Sequence, residues 1–170
     1  MRHIFLSTFA LLCLLATAGH AQKIGAEYFN CKFGETFDIV SQKLTDANQE
    51  PILTEDGIFL KDKDIYGVTF GTIGMKFTKE DTFFNIFGYN KFDNKKEATA
   101  AFDKTLSSLR EQFSNIQSMS KTDNCLRLYA YTDEGHENVL SLGLYKGNNG
   151  TFFVRINIYS DYLVRRSNGE

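Results

Sequence analysis

The sequence predicts an α+β fold, with two helices packed on one face of an antiparallel sheet. Residues 35–47 and 94–115 carry apolar side chains at helical spacing. Between and after them, apolar and polar residues alternate in short runs separated by Gly, Asn and Asp. The aromatic share is 14%, from sixteen Phe and eight Tyr with no Trp, and such side chains suit a pleated surface. The order helix, strands, helix, strands predicts two α-β-β-β-like halves, 30–91 and 92–162, within one domain of residues 22–170. Thr82-Phe83-Phe84 recurs as Thr151-Phe152-Phe153, each time in the last strand of its half.

Residues 1–21 read as a signal peptide. Arg2 and His3 precede an uncharged apolar run, and Gly19 and Ala21 are the small residues that a cleavage site needs. The run is roughly fifteen residues, short of the ~20 that span a bilayer. Cys13 follows Leu12 rather than the small residue of a lipoprotein signal. The expectation is a chain that is periplasmic or extracellular after cleavage near Ala21, with no membrane span in the mature form.

In the first helix, Phe37, Val40, Leu44 and Ala47 form one stripe, with Gly34 and Thr36 as candidate caps and Pro51 beyond its end. Ile52-Leu53-Thr54 and Ile58-Phe59-Leu60 flank Asp56-Gly57, a hairpin signal. Lys61-Asp62-Lys63-Asp64 reads as a charged turn, and residues 65–70 as a strand. Gly71 and Gly74 predict a bulge or bend. Lys79-Glu80-Asp81 then turns the chain into an aromatic strand over 82–89. Matching the two halves turns Phe83 inward there, whereas alternation with Ile86 turns Phe84 inward.

Asn94, with Glu97 three residues on, approximates a capping box for the second helix. Ala98, Ala101, Phe102, Thr105, Leu106, Leu109 and Phe113 make its apolar face. Three strands come next, with Leu126, Leu128 and Ala130, then Leu140, Leu142 and Leu144, then Phe152, Val154, Ile156 and Ile158 facing the helices. Residues 133–137 and 146–150 read as turns, and 165–170 as a frayed end.

The stretch Phe33-Gly34-Glu35-Thr36-Phe37-Asp38-Ile39-Val40-Ser41-Gln42-Lys43-Leu44 resembles the helix opening of small exported bacterial proteins. These include the beta-lactamase-inhibitor-protein-like tandem-repeat fold and the SmpA/OmlA outer-membrane assembly lipoproteins. The helix–sheet–helix–sheet order is also similar to secreted proteins of Bacteroidetes. The resemblance implies an exported two-helix α+β domain and supplies no catalytic residues. Two departures stand against it: one long helix per half instead of a helix pair, and no lipid-attachment cysteine. Inhibitory activity therefore does not carry over.

The leader contributes one Arg and no acid, leaving eighteen Lys and Arg against 21 Asp and Glu, a net charge of −3. Nucleic-acid binding has no basic footprint here. Cys31 and Cys125 form an even pair in an oxidising compartment, so a disulfide between them is expected. His136, among Asp133, Glu134 and Glu137, reads as a hairpin tip, because no second ligand group supports a metal. Lys61–Asp64 lacks the ligand spacing of a calcium loop. No G-x-S-x-G or Cys–His arrangement offers a nucleophile. Asn149-Gly150-Thr151 is a glycosylation sequon that matters only in a eukaryotic secretory pathway. No cofactor and no metal are expected.

One pattern has functional content. If the aliphatic stripes of the last three strands face the helices, the opposite face collects Arg127, Tyr129, Tyr131, Tyr145, Phe153, Arg155, Asn157 and Tyr159. Tyr and Arg dominate interface hot spots; cross-strand Tyr and Arg pairs also stabilise any half-exposed sheet. The expectation is a non-enzymatic exported binding module for a protein, peptide or glycan. The alternatives are a hydrolase using carboxylates in a cleft and a small carrier of apolar ligands.

Overall fold

The computed structural model describes residues 23–132 and 137–168. Residues 1–22, residues 133–136 with His136 and most of the turn expected there, and residues 169–170 lie outside them. The chain is α+β, as predicted. A hairpin of β1 (Glu27–Tyr28) and β2 (Cys31–Lys32) precedes α1 (Phe37–Asp46). Four strands come next: β3 (Ile52–Thr54), β4 (Gly57–Ile65), β5 (Val68–Phe77) and β6 (Phe83–Phe92). Then come α2 (Lys95–Gln112), β7 (Gln117–Ser118), β8 (Cys125–Thr132), β9 (Asn138–Lys146), β10 (Phe152–Ser160) and α3 (Asp161–Ser167).

β3 to β10 form one antiparallel sheet in the order β3-β4-β5-β6-β10-β9-β8-β7. Each half is therefore a helix leading into a four-strand meander, one strand more than predicted, and the two last strands, β6 and β10, pair at the centre. Val40 and Leu44 of α1 and Ala98, Phe102 and Leu109 of α2 are fully buried. They close one core with Ile58, Leu60, Ile73, Met75, Ile86, Leu142 and Ile156 on the sheet. No helix among the described residues is long and apolar enough to cross a membrane.

Asn94 caps α2 as expected, its side chain accepting from the Glu97 backbone N–H at 2.9 Å. Thr36 holds the equivalent position of α1 but makes no capping bond. Asp81, from the turn before β6, accepts from the Phe37 N–H at 3.1 Å instead. Glu35 sits beside that end. Burial opposes its ionisation, but hydrogen bonds from Lys43 and the Lys32 N–H outweigh this and hold its pKa below the ordinary glutamate value.

Four expectations are corrected and one open choice is settled. Lys61–Asp64 lies inside β4, and the turn comes at Tyr66-Gly67, both at positive φ (52° and 74°), the geometry of a tight hairpin. Tyr66 still packs against the core, edge-on to Phe113 with ring centroids 4.9 Å apart. Arg165–Ser167, expected to be frayed, belong to α3, with Ser160 accepting from the Leu163 N–H at its start. A bulge at Phe84 settles the register of β6: Lys76 pairs with Asn85 and Phe77 with Phe83, so Phe83 and Ile86 both point into the core.

The fourth change concerns β8. Cys125 pairs with Tyr145 but Arg127 pairs with Leu144, so Leu126 is an extra residue. Beyond it every side chain changes face. Arg127, Tyr129 and Tyr131 lie on the helix side, while Leu128 and Ala130 lie opposite Gly143 and Ser141 on the other. The fifth is the disulfide. Cys31 and Cys125 are both free and buried. Cys31 belongs to the core under α1, whereas Cys125 lies beside Tyr145 on the far face of the sheet. Burial, with Glu35 nearby, pushes the Cys31 thiol to about 11, which leaves it little thiolate to react.

Candidate functional site on the open sheet face

The bulge at Leu126 divides the eight predicted site residues. Arg127, Tyr129 and Tyr131 are structural. The Arg127 guanidinium lies 4.5 Å from the centroid of Phe102 and is paired with Asp103 of α2. Tyr129 packs on Phe102, and Tyr131 on Phe113. These residues fasten α2 to β8.

Tyr145, Phe153, Arg155, Asn157 and Tyr159 do share the face away from the helices. They alternate with core residues along β9 and β10, where Arg155 pairs with Gly143 and Tyr89, and Asn157 with Ser141 and Phe87. Asn157 is occupied, accepting from the Asn85 side-chain amide at 2.9 Å. Tyr159 lies toward the strand end beside Asp161, and burial first, then that carboxylate, raises its pKa.

Around Arg155 the face is dished. Phe87, Tyr89, Tyr145, Phe153 and Arg155 line a shallow cup of about 260 Å³. Two close approaches shape it. The Tyr145 ring lies across Gly143, where an added Cβ would stand 2.2 Å from Cε2. The Phe87 ring lies across Gly74 on the neighbouring strand, where a Cβ would stand 2.3 Å from Cζ. Phe87 and Tyr89 are nearly parallel, at 11°, and Tyr89 meets Phe153 edge-on at 6.0 Å between centroids.

The guanidinium of Arg155 rests on the Phe87 ring, its Cζ 4.4 Å from the centroid. Its Nε is buried without a hydrogen-bond partner. None of the ion pairs among the described residues involves it. Burial lowers its pKa from the ordinary guanidinium value, which for arginine still means a full positive charge. Burial, with Cys125 nearby, raises that of Tyr145.

Cations cluster around the cup. Lys76 sits above Phe87 at 5.8 Å, and Lys61 donates to Thr72 at 2.9 Å. Lys91 stands opposite Phe153 in the register. No Asp or Glu occurs anywhere in β5, β6, β8, β9 or β10. A chain of net negative charge thus presents Lys76, Lys91 and Arg155 on this face of acid-free strands, with Lys61 beside them on β4, the strand that also carries Asp62 and Asp64.

The sequence reading missed Phe87, Tyr89, Lys76 and Lys91 because it considered only the last three strands. Their signal was present: an alternating Phe87-x-Tyr89-x-Lys91 in an acid-free strand. Among the described residues no group of three His, Cys, Asp or Glu can hold a metal ion. Comparison with protein-family models, with curated proteins and with solved structures finds no match to this chain.

Proposed function

We propose that this chain is an exported, non-enzymatic binding module whose open sheet face docks an acidic polypeptide segment. The carrying observation is the coincidence of an aromatic surface with four cations and an unpaired, half-buried guanidinium. Aromatic area supplies affinity, and clustered positive charge supplies orientation and speed of encounter. The leader of residues 1–21 supports export. N-terminal sequencing of the protein from the cell envelope or medium is expected to begin at Gln22; an intact leader there would remove that part of the reading.

Selection of a random displayed-peptide library on the immobilised chain tests the face. The expected winners are net acidic and contain an aromatic residue. Replacing Lys61, Lys76 and Lys91 together by Glu is expected to weaken them at least about tenfold, and raised salt to weaken them in the wild type. Winners without acidic bias, or affinities indifferent to the reversal, would reject this docking surface. Preference for an anionic glycan over every peptide would reject the polypeptide partner.

A further inference from the structure

Resting on that reading, we infer that the Arg155 cup is an anchor for a polypeptide C-terminus, taking the terminal carboxylate together with an aromatic or large aliphatic terminal side chain. The argument starts from what the cup lacks. Arg155 is half-buried, and its Nε, buried without a partner, has lost its water and gained no acceptor in return. Its two Nη groups form a fork that matches the two oxygens of a carboxylate. The rest of the lining is four aromatic rings.

The fork decides between anions. Arg155 is the one cation in the cup's lining, and its planar guanidinium matches a planar carboxylate. The lysines around the rim would also draw a phosphate monoester, so phenyl phosphate is the competitor in the test.

Shape decides between carboxylates. An Asp or Glu side chain ends in its carboxylate, so only a short stem and polar backbone would fill the cup's mouth behind it. A terminal residue carries carboxylate and side chain on the same Cα, and so offers the fork and the rings their partners at once. A cup of about 260 Å³ has room for one such residue. With Phe87 beneath the guanidinium, the cation is already fixed in orientation, so binding need not order it.

The test compares three short peptides on the full chain: acetyl-Gly-Gly-Phe with a free carboxylate, the same peptide amidated, and amidated acetyl-Gly-Gly-Glu. Tyr and Phe ring resonances report the cup. The free acid is expected to shift the rings of Tyr89, Tyr145 and Phe153 saturably, and both amidated peptides to bind at least about tenfold more weakly. Arg155→Gln is expected to abolish the preference for the acid, and Arg155→Lys to restore only part of it, because an ammonium lacks the fork. Equal binding of acid and amide, or no saturable shift of those rings by the free acid, would overturn the anchor; the wild-type comparison decides even if Arg155→Gln does not fold. A tighter fit of phenyl phosphate, or of the glutamate peptide, would overturn the assignment to a C-terminus. The two readings fail separately. Loss of the acid preference with library peptides still sensitive to the lysines removes the anchor alone; the reverse pattern removes the wider docking surface and leaves the cup.

Discussion

Phe102→Ala is expected to cost about 3–5 kcal/mol of stability, the usual range for emptying a fully buried aromatic site. Phe102 has no exposed surface. Its ring is also where α2 and β8 are joined. Tyr129 of β8 packs on it at 6.0 Å between centroids, and the Arg127 guanidinium lies over it at 4.5 Å. Removing the ring leaves a cavity under α2 and takes the cation–π partner from Arg127, whose remaining tie is its ion pair with Asp103. That pair is half in solvent and contributes less than about 1 kcal/mol, so it cannot hold the helix by itself. Urea denaturation is expected to show a lower midpoint at an unchanged slope, and the melting temperature to fall by about 10 °C. Phe102→Leu, which keeps most of the volume, is expected to lose less than half as much. A cost below about 1 kcal/mol for the alanine variant would mean that α2 does not rest on β8 through this ring.

The same contact shows how far the sequence could be read. Helix stripes are legible because each apolar residue in α2 has the same neighbours one turn on; Ala98, Phe102, Leu106 and Leu109 are all buried as expected. The stripes of β9 and β10 are legible for the same reason with a period of two. β8 was not, because its alternation is intact and only its phase is wrong. Leu128 looks like a core residue and Arg127 and Tyr129 like surface, until Leu126 is recognised as a bulge. No single residue marks that bulge. What fixes the phase is Asp103 on α2, which needs Arg127, and Phe102, which accepts a cation and a tyrosine on its faces. Those contacts join two elements far apart along the chain and are invisible to a local pattern. Phe84 is the counterpart in the first half, where two conflicting patterns around Phe83 and Ile86 did announce an extra residue. The cup had a similar limit. Tyr145, Phe153 and Arg155 could be placed on one face, but Phe87 and Tyr89 reach them only because β6 pairs with β10 across the centre of the sheet.

The two faces of the sheet should answer differently to the same small substitution. Gly88→Ala is expected to destabilise by about 2–3 kcal/mol, and Gly143→Ala by less than about 1 kcal/mol. In both places a new methyl meets an aromatic ring: Phe70 Cγ at 2.7 Å from the Gly88 position and Tyr145 Cε2 at 2.2 Å from the Gly143 position. By distance alone Gly143 is the worse. The difference lies in which part of the ring is met and what lies behind it. At Gly88 the near atoms are Cγ, Cδ2 and Cβ of Phe70, the stem of a side chain with no exposed surface. That stem cannot swing aside without moving its strand or displacing other core groups, and a packed core yields poorly. At Gly143 the near atoms are Cε2, Cζ and Oη, the far end of a half-buried tyrosine on the face that no helix covers. The ring can rotate outward into water, and the alanine recovers part of the loss by restricting the unfolded chain. The consequence for the cup is the opposite of that for stability. A turned-out Tyr145 removes one wall beside Arg155, so Gly143→Ala is expected to keep its fold and weaken the carboxylate peptide, while Gly88→Ala weakens the fold with the cup's lining residues unaltered. Equal losses of stability at the two positions would show that the open face is packed as firmly as the core and that the Tyr145 ring does not turn outward.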